Sequence, residues 1–238
     1  MNGRHIVLAG GSGFLGRALM RALKGSGCRI TVLTRLETMT TDKDVRFVAW
    51  DGRSLGRWMD AIDGADAIVN FTGKNVNCRL TERNRREIVT SRRDALLVLG
   101  AAVNRCRRRP GAFVQCSAVG VYGDTESCCD EQTKEGDGIL AEVAKTCEAA
   151  FRGSEIKDTR KVVLRLGVVL GRDGGALPVL ARLSRYFMGG AAGSGKQYLS
   201  WIHADDLNRM IVHTLSNPKI EGTFNAVSPM PVTNADFM

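Results

Sequence analysis

The sequence predicts an α/β fold: a doubly wound parallel sheet with a smaller C-terminal region on its substrate side. Three observations carry this. Short, near-continuous apolar runs such as "IVLA", "ITVL", "AIVN" and "KVVLRL" alternate with longer stretches of helical periodicity, the pattern of parallel strands covered on both faces. A glycine cluster, "GGSGFLG", separates the first such run from the first helical stretch. A chain of 238 residues is long enough to bury one large core.

Taken in order, Ile6 to Ala9 form the first strand, and Leu15, Leu19, Ala22 and Leu23 recur at helical spacing until Gly25 and Gly27 stop the helix. Cys28 to Arg35, rich in β-branched residues, is the second strand and completes a βαβ unit. "VRFVAW" is a third strand, a short helix lies around Trp58 to Ile62, and "DAIVNFTG" (Asp66 to Gly73) is a fourth strand running into a loop. Thr81 to about Arg107 carries a long helix, "AFVQCSAVG" a fifth strand, Ile139 to Phe151 a helix, and "KVVLRLGVVLG" a sixth strand. Beyond Gly171 glycine turns alternate with two helical patterns, and "GTFNAVS" supplies one more short strand.

Composition removes several function classes. No run approaches the roughly 20 apolar residues of a membrane span, and a strand pattern opening at once after Met1 leaves no room for a secretory leader. A cytoplasmic protein with no membrane partner is the expectation. Seven cysteines (Cys28, Cys78, Cys106, Cys116, Cys128, Cys129 and Cys147) form no CxxC pair, which predicts reduced thiols and no metal centre. The formal net charge of +9 and the segment "NRCRRRPG" raise a nucleic-acid reading. Those arginines end a helical pattern, where cations offset the dipole, and no aromatic residues interleave with them to stack bases. A solvated or phosphate-facing surface is the better expectation.

Gly10, Gly13 and Gly16 have the spacing GxxGxxG between a strand and a helix, the fingerprint of a Rossmann-type dinucleotide site. With Ser12, Phe14 and Leu15 they would cradle a pyrophosphate at the helix N-terminus. An NAD site places Asp or Glu at the end of the next strand to hold the ribose 2′-hydroxyl, whereas here that strand ends in Thr34 and Arg35. A guanidinium pairs with a 2′-phosphate, so the expected cofactor is NADP(H). Residues 1–170 are the expected NADP-binding domain and 171–238 the substrate-side region.

Together "GGSGFLG", "DAIVNFTGKNVNCRLTERNRREIVTSR", "SAVGVYG", "LRLGVVLGRDGGAL" and "GSGKQYLSWIHADDL" through "FNAVSPMPVTNADF" resemble the epimerase-family (sugar-nucleotide-epimerase-like) branch of the extended short-chain dehydrogenases/reductases over essentially the whole chain. The resemblance implies that Thr34 and Arg35 flank the adenosine phosphate and that Phe71, Thr72 and Gly73 line the cofactor. It also places Lys74 nearby where the family usually has Glu, Arg92 on the cofactor phosphates and Val169 at the nicotinamide end. It implies a hydride-transfer enzyme acting on a carbonyl or carbinol of a small-molecule substrate, and it implies further residues after "PVTNADFM", so that the chain reads as truncated.

Active relatives pair a Ser or Thr after the fifth strand with YxxxK on the next helix, the tyrosine passing a proton and the lysine lowering its pKa. Ser117 fits the first role. The helix reads "GILAEVAKTCEAA", with Leu140 and Ala144 at the Tyr and Lys positions and Lys145 out of register. Tyr122 is the nearby phenol, either a proton donor or a loop residue packed over the cofactor. A catalytically silent NADP-binding subunit is therefore the alternative reading. Asp205 is expected to cap the helix after "SWIH", and His203 to be a structural residue or a substrate contact. "GGAAGSGKQYLSWIH" imitates a P-loop through Gly190, Gly195 and Lys196, yet Gln197 replaces the magnesium-binding Ser/Thr and a strand follows. It is read instead as a loop over the substrate side, where Gln197 and Tyr198 could meet a ligand.

Overall fold

A computed structural model describes residues 1–35 and 42–238. Among them the strands are β1 (His5–Ala9), β2 (Arg29–Thr34), β3 (Val45–Ala49), β4 (Ala67–Asn70), β5 (Ala112–Ala118), β6 (Arg160–Leu166), β7 (Val168–Gly171), β8 (Gly174–Gly175), β9 (Tyr198–Leu199), β10 (Trp201–His203), β11 (Gly222–Ala226) and β12 (Val232–Thr233). The helices are α1 (Phe14–Leu23), α2 (Glu82–Arg105), α3 (Ile139–Gly153), α4 (Leu177–Arg185), α5 (Ala204–Ser216) and α6 (Asn234–Phe237). The predicted short helix near Trp58 is a 3₁₀ turn, Arg57–Ala61.

The central sheet runs β11-β6-β5-β4-β1-β2-β3, with every neighbouring pair parallel. This is a Rossmann-type order, and its direction reverses between β1 and β4, which opens a crevice at their C-terminal ends. Alternation along β1 builds both layers. Ile6 and Leu8 face the α1 and α5 side with Leu19, Leu23, Leu207 and Ile211. Val7 and Ala9 face the other side with Ile88, Leu96, Leu99, Val103 and Phe151 from α2 and α3.

Two elements differ from the sequence reading. The run "KVVLRLGVVLG" is not one strand: it breaks at Gly167, β6 stays in the central sheet, and β7 joins a second sheet between β10 and β8. A Cβ at Gly167 would lie 2.7 Å from the Ser200 carbonyl oxygen, so the crossing of the two segments requires glycine. The second difference concerns the division of the chain. β11 pairs with β6 at the edge of the central sheet and α5 packs against it, although both lie in the segment 171–238 assigned to the substrate side.

The basic segment "NRCRRRPG" runs into the N-terminal end of β5, at the opposite ends of the strands from the glycine loop. There the Arg108 guanidinium donates to the Gly64 carbonyl at 2.7 Å and Arg109 pairs with Asp158 at 2.6 Å. Two of its arginines thus fasten loops to one another. No described helix is long and apolar enough to cross a membrane.

Candidate dinucleotide site at the sheet's topological switch

The glycine cluster turns the chain from β1 into α1. Gly10 has φ +71°, a left-handed conformation that L side chains rarely adopt, and its N–H donates to Leu33 on β2. A Cβ at Gly16 would fall 2.3 Å from Gly11 Cα, which fixes how closely α1 meets the loop. Gly13 is different. Its backbone is extended, and an added Cβ would meet nothing nearer than the Gly10 carbonyl at 3.4 Å. The fold itself does not demand glycine there, whereas a group seated on the loop would.

α1 begins without a side-chain cap and without an acidic residue in its first turn. The N–H groups of Phe14, Leu15 and Gly16 have no acceptor among the described residues, and with the helix dipole they suit an anion. Ser12 Oγ and Thr34 Oγ1 lie 2.9 Å apart, joining the loop to the end of β2, where Arg35 is exposed. The Phe14 ring turns the other way and lies beneath Gly171, Gly174 and Gly175, where added Cβ atoms would come within 2.6–3.0 Å of it.

Across the crevice, β4 ends in buried Asn70. Its side-chain amide donates to Gln115 on β5 at 2.7 Å, and its Oδ1 accepts from the Thr72 N–H and hydroxyl at 3.0 and 2.6 Å. Phe71 donates its N–H to Ala9, which holds the two loops together. Gly73 leaves room for Arg92, whose guanidinium carbon would lie 2.6 Å from an added Cβ. Arg92 Nη1 donates to the Lys74 and Ile88 carbonyls, each at 3.0 Å, and burial holds its pKa below the usual arginine value. Lys74 turns toward α2, where its ammonium donates to Asn84 and pairs with Glu87. That pairing, followed by the hydrogen bond from Arg83, holds the Glu87 carboxyl below the usual range.

The two residues proposed for chemistry enter a buried network, which Arg152 on Glu148 Oε2 at 3.3 Å extends toward the surface. Ser117 Oγ donates to Glu148 Oε1 at 2.7 Å, and Arg165 grips both Glu148 oxygens at 3.0 and 2.9 Å. Glu148 is 0% and Arg165 3% exposed. Tyr122 donates its hydroxyl to Asn225 Oδ1 at 2.7 Å and accepts from Arg165 at 2.9 Å. Burial would lower the Arg165 pKa, but its hydrogen bonds to Glu148 and Tyr122 raise it above the usual arginine value. Leu140, Ala144 and Glu148 follow one another at four-residue spacing on α3, so an acid stands one turn beyond the positions of the missing YxxxK. Sequence reasoning missed Asn70, Gln115, Glu148 and Arg165. The signal was there, because a polar or charged residue inside an apolar strand or helix face needs a partner.

Val169 lies in β7 opposite Ile202, and Tyr198 is exposed in β9. The Gln197 side-chain amide donates to the Ala192 carbonyl at 2.8 Å, and the Gln197 backbone carbonyl accepts the Asn234 N–H at 2.9 Å, so the glycine loop is tied to α6. Asp205 is not the cap of α5. His203 is, with extended backbone and Nδ1 accepting the Asp205 N–H at 3.2 Å, while Asp205 and Asp206 occupy the first turn. The register is shifted by two residues because an imidazole nitrogen can do what a carboxylate does. His203→Ala is expected to cost about 1 kcal/mol of stability, read from urea unfolding.

A sequence profile of the NAD dependent epimerase/dehydratase family matches residues 6–226. An Arabidopsis thaliana protein described as an epimerase family protein SDR39U1 homolog, chloroplastic, is 35% identical over 95% of this chain and 67% of its own. The Bacillus subtilis epimerase family protein YfhF is 30% identical over 98% and 77%. The crystal structure of human epimerase family protein SDR39U1 with NADPH superposes with a TM-score of 0.87 at 32% identity, over 98% of this chain and 77% of that one. A glycine cradle, a seven-stranded parallel sheet and a match across both place this chain in the NAD-dependent epimerase/dehydratase family.

Proposed function

We propose that this chain binds NADP(H) at the switch between β1 and β4, and does so without the Tyr-Lys proton relay of active short-chain dehydrogenases. The observation that carries the reading is Gly13, a glycine the fold does not need, set before the uncapped start of α1. Its missing side chain makes room for a pyrophosphate, which Ser12, Phe14, Leu15 and Gly16 would receive through backbone N–H groups. Thr34 and Arg35, with no acid at the end of β2, favour the 2′-phosphorylated dinucleotide. That the human relative was crystallised with NADPH supports the same choice. Phe71, Thr72, Gly73 and Val169 would line the rest of the cofactor, and Arg92 would lie behind the loop that carries Gly73.

Bound NADP(H) supplies a hydride at nicotinamide C4 for exchange with a carbonyl or carbinol carbon. Ser117 and Tyr122 would be the groups to hold that oxygen, but each is already engaged by Glu148, Arg165 or Asn225. This favours a dinucleotide-binding subunit over a dehydrogenase of the usual mechanism. Fluorescence titration should give tighter binding of NADPH than of NADH, by tenfold or more on the order of one charge-assisted contact. Tighter NADH, or no binding of either, sinks the assignment. Turnover of a panel of carbonyl compounds should be absent or insensitive to Ser117→Ala and Tyr122→Phe. A robust rate abolished by either change would restore the enzymatic reading.

A further inference from the structure

Arg17 occupies the fourth position of α1, and its side chain turns back over the glycine loop, where Nη1 donates to the Ser12 carbonyl at 2.7 Å. The Ser12 hydroxyl in turn meets Thr34 at 2.9 Å. Two hydrogen bonds therefore link Arg17 to the end of β2, immediately before Arg35. A cation near a helix N-terminus is disfavoured by the dipole, and the first turn of α1 has no acidic residue to offset it. One turn further on, Arg21 has its counter-ion, Asp173 at 3.0 Å. Neither Arg17 nor Arg35 has a carboxylate partner among the described residues. Arg17, exposed, thus meets the loop at Ser12, and Arg35, also exposed, follows Thr34 directly in the chain.

We propose that Arg17 is a second specificity-determining residue for the 2′-phosphate of NADP(H), acting with Arg35. The inference rests on the NADP(H) reading above and deepens it. The pyrophosphate is common to both dinucleotides and faces the N–H groups of Phe14 to Gly16. Arg17 is joined instead to the Ser12 carbonyl, and the Ser12 hydroxyl meets Thr34 at the end of β2, where the adenosine ribose is read. A phosphate monoester carries close to two negative charges and several acceptor oxygens, so it can use two guanidinium groups where a ribose hydroxyl uses none.

The test is equilibrium titration of the parent, Arg17→Ala, Arg17→Gln and Arg35→Ala with NADPH and NADH, alongside ligand-free thermal unfolding. Arg17→Gln keeps an amide donor for the Ser12 carbonyl and removes the charge, which separates loop support from charge. Both Arg17 variants should weaken NADPH about tenfold or more while changing NADH by less than about threefold, with the ligand-free melt unchanged. Equal weakening of the two dinucleotides would overturn the proposal by moving Arg17 to the pyrophosphate or to loop support. No change in NADPH binding would overturn it as well. A parent protein that fails to prefer NADPH defeats the underlying reading, and that failure is visible before any Arg17 variant is measured.

Discussion

Replacing Glu148 with Leu should lower the stability of the fold by about 3–5 kcal/mol, because it leaves the Arg165 guanidinium buried without its counter-ion. Arg165 lies in β6 among Val163, Leu164 and Leu166, and Glu148 lies on α3 beside buried Cys147 and Phe151. Glu148 also receives the half-exposed Arg152 at 3.3 Å, but Arg165 itself is buried and has no other carboxylate among the described residues. The hydroxyl of Ser117 would lose its acceptor at the same time. The double variant Glu148→Leu, Arg165→Met should recover much of the loss, since an apolar pair needs no desolvation of charge. Urea unfolding of the two single variants and the double variant gives the coupling energy. Additive losses would mean that the two residues do not act as a pair, and the reading of this network as a structural clamp would fall.

The same network shows where the sequence stops being readable. The sheet, its helices and the glycine turn are legible because strand alternation, helical periodicity and glycine spacing are local patterns. "GGSGFLG" announces its own strand, turn and helix. Arg165 in "VVLRL" announces only that a partner exists, and nothing local says that α3 crosses β6 to supply Glu148. Tyr122 likewise finds Asn225, 103 residues away, once β11 has paired with β6. The continuous apolar run through Gly167 conceals a change of sheet, because its partners on β10 lie 33 residues further along (Val168 with Trp201) and hydrophobicity is the same in either sheet. Candidate chemistry was therefore the least legible part. Ser117 and Tyr122 stand where the sequence puts them, at the ends of β5 and the 3₁₀ turn after it, but what they bond to depends on long-range pairing.

The glycine loop gives the other large effect, and it separates folding from binding. Gly16→Ala should destabilise the ligand-free protein by about 1–3 kcal/mol or more, because its Cβ would lie 2.3 Å from the Gly11 backbone, which cannot move aside like the end of a flexible side chain. Gly13→Ala should leave ligand-free stability within about 1 kcal/mol of the parent, since its backbone is extended and the added methyl meets only a carbonyl at 3.4 Å. Its cost should instead appear in NADPH binding, weakened at least tenfold where a methyl group stands in the approach of a pyrophosphate to the N–H groups of α1. Both variants would read as binding-defective in a single-concentration assay, so ligand-free thermal unfolding has to accompany the titration. If Gly13→Ala melted as early as Gly16→Ala, the fold would need that glycine after all, and its open space would not be one kept for a ligand. If it bound NADPH as tightly as the parent, the pyrophosphate would have to lie elsewhere than on this loop.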